Sequence, residues 1–80
     1  MQREDILKKV NEVFKDIFDD ESIVVTDETT ANDIEEWDSL THISLIASIE
    51  DTFKIKFSLA DVVSFKKVGD MIDKIDEKLS

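Results

Sequence analysis

Ser39 stands in the stretch Trp37-Asp38-Ser39-Leu40-Thr41, immediately ahead of the most apolar helical segment of the chain. Asp38 and Ser39 both favour helix starts, because a short oxygen side chain accepts from the free N–H groups of the first turn. Ile43, Leu45, Ile46, Ala47, Ile49 and Phe53 then recur at helical spacing. Ser39 is therefore expected at a helix N-terminus, with its hydroxyl at or near solvent. Exposed N–H groups and the positive end of the helix dipole favour a phosphate there. The chemistry such a serine offers is attachment of a phosphodiester. Taken alone, Asp-Ser-Leu is a common tripeptide and is better explained as a plain helix cap.

Groups for other chemistries are missing. The 80 residues include no cysteine, so there is neither a disulfide framework nor a thiolate nucleophile. His42 is the single histidine. No base or orienting partner for it is visible, and an exposed surface histidine is the expectation. There is no glycine-rich phosphate loop and no metal-ligand cluster. An EF-hand would need alternating oxygen ligands with Gly at the sixth position and Glu at the twelfth, and no stretch supplies them. Nothing here points to an enzyme.

Charge narrows the partners. Twenty acidic and 10 basic residues give a formal net charge of −10. Residues 1–38 hold 13 acids and 4 bases, and residues 39–80 hold 7 acids and 6 bases. Nucleic acid is a poor partner for such a chain. Basic protein surfaces are good ones, because opposite charge steers encounter. The acids Asp33, Glu35, Glu36 and Asp38 lie just ahead of Ser39 and are candidates for a docking surface, together with Trp37, Leu40, Thr41 and Ala47 around the serine. No long apolar run and no signal-peptide pattern is present, so a cytoplasmic protein without membrane insertion is expected.

The elements that must position Ser39 follow from periodicity. Ile6, Leu7, Val10, Val13, Phe14 and Ile17 mark one face of an amphipathic helix from about Arg3 to Phe18. Residues 19–37 form a long connection. Its Ser22–Thr26 stretch has strand-like composition but no partner, so it reads as extended loop, with Val25 and Ile34 pinning it to the core. Thr30 with Asp33 would cap a short turn. A second helix runs from Leu40 to about Phe53 with Ile43, Ile46, Ile49 and Phe53 facing inward. Leu40, Leu45 and Ala47 then extend its apolar surface as a contact patch. Lys54–Phe57 reads as loop. Ser58 with Asp61 opens a short third helix to about Val63. Val68, Met71, Ile72, Ile75 and Leu79 give the inner stripe of a last helix. Gly69 within it costs roughly 1 kcal/mol of helix stability against Ala and permits close packing. The fold expected is all-α, a small four-helix bundle with a long first loop, in one domain spanning residues 1–80.

Asp38-Ser39-Leu40-Thr41-His42-Ile43-Ser44-Leu45, Ile49-Glu50-Asp51-Thr52-Phe53, Phe57-Ser58-Leu59 and Val68-Gly69-Asp70-Met71-Ile72 together resemble the acyl carrier protein family. The resemblance covers essentially the whole chain, including its length and acidity. It implies that Ser39 carries 4'-phosphopantetheine, added from coenzyme A by a phosphopantetheinyl transferase with magnesium. It further implies a monomeric carrier that holds an acyl group as a thioester and shuttles it between loading and transferring enzymes. A cavity among the second, third and fourth helices is also implied, for which Ile46, Phe57, Val62 and Ile72 are the candidate lining.

One departure bears on partner choice. Carriers of fatty-acid synthesis typically have acids two and five residues after the serine, whereas here those positions are Thr41 and Ser44. The Trp-Asp-Ser-Leu-Thr-His form looks more like stand-alone carriers dedicated to one pathway, such as polyketide, peptide or surface-glycan modification, within a wider expectation of lipid, polyketide or other specialised biosynthesis. Two alternatives stay open at this point. An aminoacyl or peptidyl carrier would use the same arm for another cargo, and an acidic helical adapter would have no prosthetic group.

Overall fold

The computed structural model describes residues 2–79. Its first helix, α1, spans Arg3–Phe18 and buries Ile6, Val10, Val13 and Phe14. Asp19 stops it by adopting the left-handed conformation, with φ 50°. From Asp19 to Asp38 the chain forms turns and extended loop, with an isolated bridge between Thr30 and Lys67.

A loop this long holds only if its backbone polar groups find partners. Asn11 of α1 accepts from the Val25 N–H at 2.7 Å and donates to the Val25 carbonyl at 3.1 Å. Beside that bond Val25 is buried, and Ile34 packs partly against the same core. Thr30 and Asp33 close the expected turn: the Thr30 N–H donates to Asp33 Oδ2 at 2.9 Å. The second half of the loop caps the last helix. Val68 N–H donates to the Thr29 carbonyl at 2.8 Å, and Gly69 N–H to that of Asp27 at 2.9 Å. Two first-turn donors that no helix can satisfy internally are thus met by the loop.

Helix α2 spans Ser39–Phe53 and buries Leu45, Ile46, Ile49 and Phe53. This corrects the expected inner stripe: Leu45 is fully buried, whereas Ile43 is 65% exposed. The two positions lie about 160° apart around the helix, so one core cannot take both. The short α3, Leu59–Ser64, starts at a capping box in which the Asp61 N–H donates to Ser58 Oγ and the Ser58 N–H to Asp61 Oδ2. Helix α4 spans Val68–Leu79 and buries Val68, Met71, Ile72 and Ile75. Leu79, expected on its inner stripe, is 38% exposed and lies beyond the buried cluster. Helix α1 packs against both α2 and α4. Trp37 closes the core at the start of α2, edge-on to Phe14 with ring centroids 5.2 Å apart.

Candidate functional site: the serine at the start of α2

Asp38 is the N-cap of α2. Its extended backbone lets Oδ1 accept from the N–H groups of Leu40 at 3.0 Å and Thr41 at 2.9 Å. Thr41 Oγ1 accepts from the Asp38 N–H at 2.8 Å, closing a reciprocal capping box. Hydrogen bonds from the Thr41 N–H and hydroxyl, with a smaller one from the Leu40 N–H, hold the Asp38 carboxyl below the usual aspartate value. The carboxylate is therefore the stable form at the positive end of the helix.

Ser39 is left free by this arrangement. It is the first residue of α2 and is exposed, and among the described residues none takes its hydroxyl. Ser39 is thus exposed on a helix end fixed by its neighbour. Beside it runs an open groove of about 660 Å³ between the start of α2 and α3, lined by residues that include Ala31, Trp37, His42, Ile43, Leu59, Val62, Val63 and Phe65. Leu59 and Val63, one turn apart on α3, are among the most exposed large apolar side chains of the chain.

Of the residues expected to line an apolar cavity, only Val62 reaches this groove. Ile46 and Ile72 belong to the buried core, and Phe57 packs edge-on against Phe65 at 5.2 Å. The groove runs across the surface between the start of α2 and α3, where Trp37 is the buried core side chain that meets it. Around Ser39, Glu35, Glu36, Leu40 and Ala47 are exposed. Thr41 is half-buried, with its hydroxyl engaged in the cap. Trp37 departs from the expected docking surface: it is only 8% exposed, because its ring fills the core against Phe14. His42 departs from the expected surface histidine. It is half-buried, receives the Trp37 indole N–H at 3.1 Å and stacks on that ring. Ile43, Leu59, Val63 and Phe65 were not singled out for this site from sequence. The one-turn spacings Ser39/Ile43 and Leu59/Val63 were the available signal.

A second concavity, of about 330 Å³, lies between α1 and the loop. Its Arg3 pairs with Asp27 and Asp73, and its Asn11 holds Val25, so these groups serve the fold. Among the described residues no group of three or more His, Asp or Glu is placed to hold a metal ion, and no helix is long and apolar enough to cross a membrane.

The geometry is thus an unpartnered serine at a capped helix start, beside an apolar groove in a four-helix bundle. The family described as "Phosphopantetheine attachment site" matches residues 5–75, and the chain belongs to that family. Its fold is also that of a holo acyl carrier protein from Geobacter metallireducens, solved by solution NMR. That match has a TM-score of 0.86 and 51% identity, and covers 91% of this chain and 84% of that one. Members are carriers and not enzymes, their prosthetic group is 4'-phosphopantetheine, and they work with a phosphopantetheinyl transferase and acyl-handling enzymes.

Proposed function

We propose that Ser39 Oγ is the attachment point of 4'-phosphopantetheine, and that the chain carries an acyl group between the enzymes of one dedicated lipid or polyketide pathway. The observation that carries this reading is the division of labour at the helix start. Asp38 does the capping, so the Ser39 hydroxyl has no structural task. A diester phosphate on Oγ would lie next to the first-turn N–H groups and the positive end of α2. When bound, the arm supplies a thiol that holds the cargo as a thioester. The chain's own residues anchor and present it. Asp38 and Thr41 keep the helix start rigid, while Val62, Val63 and Leu59 offer apolar wall to the arm or a short cargo.

The face around Ser39 sets the partner chemistry. On α2, Leu40, Ile43, Ser44 and Ala47 are exposed and uncharged, while Glu35 and Glu36 lie exposed on the preceding loop. A partner with an apolar patch bordered by Lys or Arg on the loop side fits this surface. Such a partner reads a different pattern from the acids of fatty-acid synthesis carriers, and this supports a dedicated pathway.

The test is intact mass after incubation with coenzyme A, magnesium and a broad-specificity phosphopantetheinyl transferase. The wild-type chain gains one phosphopantetheine and Ser39→Ala gains none. A folded wild-type chain that gains nothing ends this reading and leaves an acidic helical adapter.

A further inference from the structure

The indole N–H of Trp37 donates to Nδ1 of His42 at 3.1 Å, and the two rings lie 22° from parallel. An indole nitrogen can only donate. Nδ1 must therefore present its lone pair, and a neutral imidazole then carries its proton on Nε2. Nε2 lies 3.4 Å from the Val62 carbonyl oxygen. The Trp37 contact thus fixes the direction of the second one: Nε2–H donates from α2 across to α3.

The receiving carbonyl is one that needs a partner. Helix α3 has six residues, and the last four carbonyls of any helix lack intrahelical donors. The Ser64 hydroxyl takes that of Asp61 at 2.7 Å, and His42 reaches that of Val62.

Few other interactions hold α3 in place. None of its residues is buried. Asp61 pairs with Lys74 at 3.4 Å and with Lys78 at 3.9 Å, contacts in reach of solvent that add little. Val62 is only partly buried. Even a long hydrogen bond, at 3.4 Å, therefore matters more for α3 than it would for α1 or α4. Ser39 and His42 lie three residues apart on α2, one helical turn, and both line the groove whose far wall is α3.

We propose that His42 is a positioning residue. Held in the Nε2–H tautomer by Trp37, it struts α3 against α2 and sets the width of the groove beside Ser39. The consequence for Ser39 rests on the carrier reading; the strut rests on geometry alone.

The experiment uses the full-length, nitrogen-15-labelled chain without its arm, compared with His42→Phe and His42→Gln. Phenylalanine keeps a stacking ring and removes both nitrogens, while glutamine restores a donor at nearly the same reach. Imidazole NMR of the wild type is expected to show Nδ1 unprotonated and Nε2 protonated. In His42→Phe the Val62 carbonyl loses its partner and α3 loosens, so hydrogen exchange of the Val62 amide, which donates to the Ser58 carbonyl at 3.1 Å, speeds up by about threefold to tenfold, the effect of losing one net neutral hydrogen bond. Exchange at Val10 and Ile72 in the core stays as in the wild type. His42→Gln returns Val62 most of the way to wild-type protection. In parallel, the rate of mass gain at Ser39 with transferase and coenzyme A changes in His42→Phe and recovers in His42→Gln.

Three results overturn the strut: a proton found on Nδ1, unchanged Val62 exchange in His42→Phe, or equal exchange in the Phe and Gln variants. The last would mean that only packing is at work. If the wild type gains no mass, the carrier reading fails, and the tautomer and exchange data still decide the strut.

Discussion

Gly69→Ala tests how tightly the loop ahead of Ser39 is locked to α4. Gly69 is buried near the start of α4, with no positive φ to explain a glycine there. The reason is space. A Cβ at this position would lie 2.8 Å from the Asp27 carbonyl oxygen and 3.3 Å from the Asp27 Cβ. That oxygen cannot simply withdraw, because it accepts the Gly69 N–H at 2.9 Å. Alanine gains about 1 kcal/mol from helix propensity. Against this, overpacking costs about 1–3 kcal/mol, and a stretched hydrogen bond costs about 1 kcal/mol more. The balance is a loss of about 1–3 kcal/mol, which for a domain of this size lowers Tm by roughly 4–24 °C. Thermal unfolding followed by circular dichroism measures it. A Tm equal to or above wild type would refute the reasoning, since it would mean that the loop yields freely and that α4 does not set its position.

The corrected stripe of α2 and the cap at Asp38 make two further predictions. Leu45→Ala removes a fully buried side chain and is expected to cost about 2–5 kcal/mol, whereas Ile43→Ala, at an exposed site, stays within about 0.5 kcal/mol of wild type. Urea melts of the two variants separate them, and the opposite order would restore Ile43 to the core. Asp38→Asn keeps the capping shape and removes the charge. The Asp38 carboxyl is held below its ordinary value near 3.8 in the folded chain, so its ionic contribution is present above that pH and fades as pH falls through the folded value. The Tm gap between wild type and Asp38→Asn is accordingly steady above about pH 5 and closes below about pH 4. A gap that persists unchanged into acid would show that the cap does not use the charge.

Parts of this molecule were legible in one dimension because a local rule determines them. The α1 face of Ile6, Val10, Val13 and Phe14 follows from helical periodicity in a segment whose other positions are mostly polar. The capping box at Ser58 and Asp61, and the place of Asp38 and Ser39 at the start of α2, follow from short side chains meeting first-turn donors. Helix α2 was harder for a physical reason. Leu40, Ile43, Leu45, Ile46, Ala47 and Ile49 are apolar on several sides, so periodicity alone does not say which stripe turns inward.

That choice belongs to packing. The core takes Leu45 and leaves Ile43 beside Ser39 because α1 packs against one side of α2 and Leu45, not Ile43, lies on the buried side. The same packing withdraws Trp37 from solvent against Phe14, which brings its indole N–H onto His42 and turns an unremarkable histidine into a contact with α3. It also sets Gly69 against Asp27, 42 positions earlier in the chain. Composition and spacing contain the charge, the helices and a serine at a helix start, because each of these depends on near neighbours. The groove, the buried tryptophan and the His42 contact depend on which distant surfaces meet, and only the packed bundle decides that.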